Sequence, residues 1–267
     1  MIRVIREGLL LVVAVVALWF GLSRIPWMTL IPFREVQDAT ETRVGTLVWS
    51  YVRQTNRLVR DRDITAPVEA LVAHLCTTAD LRRCPVESAV VQSAEVNAFA
   101  LPGRRLVLTT GMLGEVTNEA ELAAVIAHEL AHIERRHSMQ VLAREIGLSV
   151  LVTAGGGRES TVLRDAAKTL TSSAYDRSLE SEADRDAVRH LAAARIPAGP
   201  FADLMYRLAV AEPALLSSLT WLSSHPDSGE RAEAILAESA RYTFTPRRVL
   251  SPEQWRRLQA SVKAIGD

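Results

Sequence analysis

The 267-residue sequence has no excess of charge of either sign, because 31 lysines and arginines balance 31 aspartates and glutamates. A chain that binds nucleic acid through its phosphates usually carries a basic surplus, so nucleic acid is not expected as a partner. Internal repeats and low-complexity tracts are also missing, which excludes a repeat architecture. With 48% hydrophobic residues, the chain can form one sizeable core.

Cysteine is nearly absent, since Cys76 and Cys84 are the only two in the sequence. Their number and spacing do not resemble a structural zinc site built from cysteines. In an oxidising compartment they could close a nine-residue loop, for which the chain-entropy estimate gives a stabilisation of up to about 2.6 kcal/mol. Two buried free thiols are the alternative, and the sequence leaves this choice open.

The sequence does contain a metal-binding pattern, His128-Glu129-Leu130-Ala131-His132. Residues four apart differ by about 40° around a helix axis, so the two imidazoles project from one face and can bind one cation. Glu129 lies beside them, where it can act as a base without being a ligand. Asn118 and Glu121 predict a capping box at the start of this helix, which continues with a regular apolar face. Two structural histidines on an ordinary amphipathic helix are the alternative interpretation.

A hydrolytic zinc site needs a third protein ligand and an open position for water. His137 follows His132 by five residues, which rotates it about 140° around the helix and away from the metal face, so it is rejected. Glu180 is the better candidate, because Asp184 shares its face and can accept the spare N–H of a ligand histidine. Glu182 is turned by about 200° and is expected to face solvent or a neighbouring arginine. A solvated acidic helix start is the alternative interpretation of this segment.

Several motifs that follow one another along the chain carry a resemblance to a known family. They are residues 97–103, 107–113, 128–132, 136–138 and 174–184, and His225-Pro226 with Arg231. In this order they resemble the gluzincin family of membrane-associated zinc peptidases, which includes the CAAX prenyl protease, the HtpX-type heat-shock peptidase, the mitochondrial Oma-type peptidase and the barrel-assembly-enhancing protease. The resemblance covers roughly residues 40 to 260. It implies a zincin-like peptidase domain with an α+β, mostly helical fold and a small antiparallel sheet.

Carried over residue by residue, the resemblance implies a Zn²⁺ ion, one per chain, bound by His128, His132 and Glu180. It implies that Glu129 is the catalytic base, which takes a proton from the zinc-bound water as that water attacks a peptide carbonyl. His225 is implied to lie beside the metal. There it either stabilises the oxyanion or occupies the water position in a latent state.

The resemblance also implies supporting residues around the metal ligands. Asp184 is expected to support a ligand histidine, and Arg231 is expected to brace the ligand carboxylates. The helix that carries Glu180 is expected to end near residues 195–197. Ser251 and Pro252 predict the start of a last helix, with the serine as its cap.

Residues 88–111 predict a small antiparallel sheet with a hairpin at Leu101–Arg104. In the family, an edge strand near Asn97, Ala98 and Phe99 lies along the cleft. We therefore expect an extended polypeptide substrate to dock there through main-chain hydrogen bonds. A purely structural role in the hairpin and the core is the alternative for Phe99. Docking through the backbone would make cleavage broad and would favour unfolded chains.

An apolar run long enough for an ordinary membrane span is missing at the amino terminus. The uncharged run from Gly8 to Leu22 has fifteen residues, which span about 22 Å as a helix and fall short of the roughly 30 Å hydrocarbon core. Arg24 can snorkel and Trp27 can lie at the interface, which makes up part of the difference. Because no Ala-x-Ala cleavage site follows, an uncleaved signal anchor is favoured over a cleaved signal peptide.

These features together predict the organisation of the chain. Residues 1–24 are expected to form the signal anchor or signal peptide, residues 25–45 a juxtamembrane linker, and residues 46–267 the zinc metallopeptidase domain. The expected location is the bacterial inner membrane, single-pass, with the peptidase domain in the periplasm. Secretion to the periplasm after signal cleavage and the mitochondrial inner membrane are the alternatives.

The expected function is that of a zinc-dependent endopeptidase for unfolded or membrane-associated proteins, acting in envelope protein quality control. A latent or non-catalytic, chaperone-like binding protein that retains the zinc-site scaffold is the competing hypothesis. The intact Glu129 favours the enzyme, because a protein that has lost catalytic activity has no visible reason to keep a base beside the metal.

Overall fold

The computed structural model describes residues 33–144, 170, 175–210, 220–225 and 228–266. The predicted signal anchor at residues 1–24 and Pro226 lie outside these residues. Backbone contacts divide the chain into residues 1–40 and residues 41–267. Within the described ranges, no helix is both long enough and apolar enough to cross a membrane.

The described part of the second unit is mostly helical. Its helices, together with the one that begins in the first unit, are α1 (Phe33–Thr55), α2 (Arg62–Thr78), α3 (Thr110–Glu115), α4 (Glu119–Arg135), α5 (His137–Leu142), α6 (Arg177–Ala193), α7 (Gly199–Ala209), α8 (Thr220–Ser224), α9 (Ser228–Ser239) and α10 (Pro252–Gly266). The strands are β1 (Glu87–Val91), β2 (Ala98–Leu101) and β3 (Arg105–Thr109).

The three strands form one mixed sheet in the order β1-β3-β2. β2 and β3 form the predicted antiparallel hairpin, and its turn places Gly103 and Arg104 at φ of 77° and 62°. β1 pairs with β3 in parallel, so the prediction of a purely antiparallel sheet is wrong for this pair. The physical reason lies in the order of the strands. After β1 the chain reverses into β2, which lies one strand position away from β1. β3 then occupies the position between them, antiparallel to β2 and therefore parallel to β1.

The sheet separates a large hydrophobic core from a smaller one. Because side chains alternate along a strand, Ala98 and Ala100 of β2 face the large core, which also contains α2, α4 and α7. Phe99 and Leu101 face the smaller core, which they form with Val48 and its neighbours on α1. Phe99 is therefore a core residue, as its structural alternative predicted.

Close backbone contact holds α1 against the hairpin turn. A Cβ atom added to Gly45 would lie 2.2 Å from the carbonyl oxygen of Pro102. Since real contacts of this kind are not found below about 3 Å, only glycine permits this approach.

Helix capping follows the sequence patterns closely. The Asn118 side chain accepts a hydrogen bond from the Glu121 N–H at 3.0 Å, whereas the Glu121 carboxylate accepts one from the Thr117 N–H at 2.7 Å. In the predicted capping box of α4, the bond to the Asn118 side chain therefore forms, but the Glu121 carboxylate bonds to the N–H of Thr117 and not to that of Asn118. At α10 the box is complete, because Ser251 and Gln254 each accept a hydrogen bond from the other's N–H at 3.1 and 2.8 Å.

Two further predictions concern the ends of helices. α6 ends at Ala193, with Ala194 as its cap, close to the expected end at residues 195–197. Cys76 and Cys84 form a disulfide bond, which ties the end of α2 to the segment that precedes β1.

Candidate metal centre

Three segments of the chain bring four potential ligands together. α4 supplies His128 and His132, α6 supplies Glu180, and His225 directly follows α8. One ligand atom from each residue lies within 4.8 Å of the corresponding atoms of the other three, and all four residues are buried. Two neighbouring imidazoles and one distant carboxylate therefore converge as the sequence predicted, and a third imidazole joins them.

The spacing of these atoms fits a single metal ion. Nε2 of His132 lies 3.0 Å from Nε2 of His128, and these two nitrogens lie 3.4 and 3.5 Å from the Glu180 oxygens. The His225 Nδ1 atom lies 2.8 Å from Glu180 Oε1 and 3.2 Å from His128 Nε2. Bonds of about 2.0–2.2 Å in a tetrahedral arrangement separate ligand atoms by roughly 3.3 Å.

Arg231 braces the carboxylates behind the ligands. It donates two hydrogen bonds to Asp184, at 2.7 and 2.8 Å, and its Nη1 atom lies 2.6 Å from Glu180 Oε2. Asp184 Oδ1 in turn lies 3.0 Å from His128 Nδ1, which leaves Nε2 of that ring facing the other ligands. Arg231 also donates to the main-chain oxygen of His225 at 3.1 Å, so one guanidinium contacts α6 and the residue after α8.

Glu129 lies beside the ligand set without belonging to it. Its Oε1 atom accepts a hydrogen bond from the Trp221 indole at 3.2 Å and lies 3.5 Å from His225 Nε2. Its buried Oε2 atom has no hydrogen-bond partner among the described residues. Burial raises the pKa of this carboxyl, although the imidazoles of His225 and His128 act in the opposite direction. A raised carboxyl pKa suits a group that must both take and return a proton.

Burial and neighbouring charges set the other pKa values of the site. Burial alone would lower the pKa of His128, but Asp184 and Glu180 outweigh it and raise this pKa to about 9. Burial would raise the pKa of Glu180, yet His225 and the other imidazoles hold it well below its ordinary value. For His132, burial dominates and places the pKa well below its ordinary value.

The charge of the cluster also matches a divalent ion. Three buried carboxylates, on Glu129, Glu180 and Asp184, face one buried guanidinium, on Arg231. Buried charges are stable only when they are paired. With the imidazoles neutral, as metal binding requires, a dication would supply the two missing positive charges, so the donor set and its charge both fit the implied metal.

His137 lies outside the ligand cluster, in agreement with its rejection as the third ligand, but it lies next to the site and not turned away from it. α4 ends at Arg135, Arg136 adopts the left-handed conformation at φ 57°, and α5 begins at His137. The chain therefore turns instead of continuing the rotation of one straight helix, and His137 Nδ1 lies 2.9 Å from His132 Nδ1. Burial lowers the pKa of His137 to about 4.

Glu182 behaves as predicted, because its carboxylate pairs with Arg135 at 2.5 Å. Sequence reasoning gave no role to two aromatic residues of the site. Tyr175 stacks on the His132 ring with centroids 4.2 Å apart, and Trp221 contacts Glu129. Trp221 precedes His225 by four residues, and this helical spacing was the available signal.

The predicted substrate segment lies along the edge of the sheet. Asn97 is buried, and its carbonyl accepts a hydrogen bond from the Thr109 N–H at 3.0 Å. Hydrogen-bonded and non-hydrogen-bonded positions alternate in an antiparallel pair, so the N–H and C=O groups of Ala98 face the outer edge of β2. At the next such position, the carbonyl of Ala100 accepts a hydrogen bond from Ser138 at 2.7 Å.

The sequence of this chain also matches a known protein family. The model of peptidase family M48 matches residues 62–239, which include His128, His132, Glu180, His225 and Arg231. The chain belongs to peptidase family M48. Membership confirms the resemblance to the gluzincin family.

Individual relatives of this M48 peptidase come from bacteria and mitochondria. A beta-barrel assembly-enhancing protease of Yersinia pestis is 30% identical over 115 residues, which cover 43% of this chain and 24% of the relative. The mitochondrial metalloendopeptidase OMA1 of Bos taurus is 32% identical over 162 residues, which cover 54% of this chain and 30% of the relative. The mitochondrial metalloendopeptidase OMA1 of Schizosaccharomyces pombe is 31% identical over 152 residues, which cover 55% of this chain and 44% of the relative. The chain thus spans less than half the length of each of these relatives.

Proposed function

We propose that this M48 peptidase is a zinc-dependent endopeptidase in which His128, His132 and Glu180 hold the ion and Glu129 is the catalytic base. The carrying observation is the buried Glu129 carboxylate, which keeps one oxygen without a hydrogen-bond partner in the described part of the chain beside the ligand cluster. A non-catalytic scaffold has no use for such a costly group.

The mixed nitrogen and oxygen donors favour zinc over magnesium or calcium, which prefer all-oxygen sites. When bound, zinc would lower the pKa of a water ligand to about 7 and polarise the peptide carbonyl. Glu129 takes a proton from the attacking water and passes it to the leaving amine. Trp221 holds the other carboxylate oxygen and thereby fixes the direction in which Glu129 presents its free oxygen.

We infer that His225 closes the site in a resting state. Its Nδ1 atom joins the ligand cluster, and its Nε2 atom lies 3.5 Å from Glu129 Oε1, so the ring stands next to both the ion position and the base. The alternative role, stabilising the oxyanion, needs the ring to face a substrate carbonyl. Its place among the ligands supports the latent state more directly.

The substrate is proposed to be an unfolded or membrane-associated polypeptide. The carbonyls of Val96 and Ala100 are occupied at the outer edge by Trp221 and Ser138, and the outward main-chain groups of Ala98 lie between them. Ala98 is 0% exposed, so an extended chain adds there as a further strand only after a neighbouring segment moves aside. Recognition of the backbone depends little on side chains. The docking mode therefore supports broad cleavage of unfolded proteins.

We further propose a role in envelope protein quality control. The name of the bacterial relative, a beta-barrel assembly-enhancing protease, supports such a role. Attachment to the inner membrane through residues 1–24, with the peptidase domain in the periplasm, completes the proposal.

Comparison of the parent with a Glu129→Gln variant tests the catalytic proposal. Both proteins should contain one zinc ion per chain, because Glu129 is not a ligand. Cleavage of unfolded casein should fall at least 100-fold in the variant, since general acid–base catalysis contributes about 10²–10⁴-fold. Equal cleavage by both proteins would show that Glu129 is not the catalytic base, whereas a parent with zinc and no cleavage of any unfolded substrate would favour the chaperone-like alternative. The same variant can trap substrates in its native membrane.

A His225→Ala variant tests the resting state separately. A closing role predicts faster casein cleavage at unchanged zinc content. A slower enzyme would assign His225 to the oxyanion instead. An Asn substitution at the same position is the matched control, because it keeps a polar group near Nδ1.

A further inference from the structure

A buried histidine outside the ligand cluster contacts a ligand from behind. His137 is 1% exposed and His132 is 0% exposed, and their Nδ1 atoms lie 2.9 Å apart. This distance is that of a good hydrogen bond, so one of the two nitrogens carries the hydrogen.

The geometry on the far side of His132 decides which nitrogen that is. Its Nε2 atom lies 3.0 Å from His128 Nε2 and 3.4 Å from Glu180 Oε1, where a metal ligand must present its lone pair. A neutral imidazole with a free Nε2 carries its hydrogen on Nδ1. His132 therefore donates, and His137 Nδ1 accepts.

The acceptor role of His137 is supported by a carboxylate behind it. With Nδ1 as acceptor, the hydrogen of His137 sits on Nε2, and this atom lies 3.8 Å from Glu182 Oε2. That separation is too long for a hydrogen bond, but the negative charge favours an N–H that points towards it. Arg135 holds Glu182 and Asp186 at 2.5 Å each, so the carboxylate stays in place.

We propose that His137 is the positioning residue for His132, holding this ring in the tautomer that offers Nε2 to the ion. The inference rests on the proposed zinc site. The two ligand histidines of α4 are then supported differently: His128 has the carboxylate of Asp184 behind it, whereas His132 has a neutral ring that accepts a hydrogen bond. Stacking of Tyr175 on the His132 ring limits its tilt but does not select the tautomer.

Zinc affinity of the full-length protein, measured by competition with a chromophoric chelator, tests the proposal. His137→Phe keeps a ring of similar size but no acceptor, and zinc affinity should fall about 10–100-fold, as is typical when the support of a ligand is removed. His137→Asn places an amide oxygen near the Nδ1 position, and its affinity should stay within about threefold of the parent. Equal affinities for the Phe variant and the parent would overturn the proposal.

Thermal unfolding separates positioning from simple packing. A packing role would lower the Tm of the metal-free and the zinc-loaded protein equally. Positioning predicts that His137→Phe reduces the Tm increase on adding zinc, while the metal-free Tm stays close to that of His137→Asn. An equal loss in both forms would contradict the inference.

The parent protein provides a direct test that needs no variant. In the zinc-loaded protein labelled with ¹⁵N-histidine, long-range ¹H–¹⁵N correlation should show His132 protonated at Nδ1 and His137 protonated at Nε2. The opposite assignment for either ring would overturn the proposal. These measurements do not depend on cleavage: a protein that binds zinc in this way but cuts no substrate would refute the proposed peptidase function alone.

Discussion

Replacing Arg231 with methionine should destabilise the metal-free protein more than any exposed charge change. The guanidinium contacts two buried carboxylates, on Asp184 and Glu180, and its side chain is only 8% exposed. Methionine fills much of the same space but takes the guanidinium away from both acids, so that in the metal-free protein the His128 imidazole, whose pKa is raised to about 9, is the cation left beside them. Removing one partner of a buried ion pair typically costs about 3–5 kcal/mol, because the other charge stays buried and uncompensated.

Zinc should reduce this loss, since an ion bound by Glu180 compensates one of the two acids. The assay is urea unfolding at pH 7 with and without zinc. In a thermal scan the metal-free variant should melt roughly 6–20 °C below the parent, at about 2–4 °C per kcal/mol for a domain of this size. Adding Asp184→Asn to the variant should restore part of the loss, because one stranded charge disappears.

Arg62→Met is the matched control. Its pair with Glu69 is 70% and 46% exposed, so the change should cost at most about 1 kcal/mol. A loss below about 1 kcal/mol in metal-free Arg231→Met would refute the reasoning that this arginine neutralises the site.

Three other changes have defined outcomes. Burial lowers the pKa of His190 in the folded protein to about 4, from an ordinary value of 6.5. As the pH falls, the ring therefore takes up a proton in the unfolded chain before it does so in the folded one. The contribution of His190 to stability is complete above pH 6.5 and decreases towards pH 4. His190→Gln should remove up to about 1.4 kcal/mol per pH unit from the slope of unfolding free energy in that window, and an unchanged slope would contradict the burial argument. Replacing Cys76 and Cys84 with serine opens the disulfide and should cost about 2.5 kcal/mol in urea unfolding; two free thiols in the unreduced, denatured parent would contradict the bridge itself. Ala98→Pro removes an outward N–H and should raise KM for an extended peptide several-fold with kcat little changed, whereas Ala98→Gly keeps the N–H and should not; equal KM values would argue against docking at β2.

The sequence predicts the parts of this site that depend on local geometry. His128 and His132 converge because a helix puts residues four apart on one face, and no distant contact is needed to know this. Glu180 follows from the chemistry of a missing ligand. His225 depends on the family resemblance, because no spacing rule connects residues so far apart.

The failures have equally specific causes. His137 was placed by continuing one straight helix, but α4 stops where Arg136 enters the left-handed region. Glycine or asparagine normally marks such a stop, and arginine gives no signal. The parallel pairing of β1 with β3 was missed because hairpin signals connect only consecutive strands.

The large separations along the chain between the ligands have a consequence for how stable the protein is towards proteolysis. About 50 residues separate α4 from Glu180, and 45 separate Glu180 from His225. A bound ion would tie these stretches into two large rings, and closing a ring of that size restricts the unfolded chain by about 4 kcal/mol, well above the small ring closed by Cys76 and Cys84. Zinc starvation would thus do more than silence the enzyme: it would loosen the carboxy-terminal third and leave the peptidase itself open to digestion by other proteases.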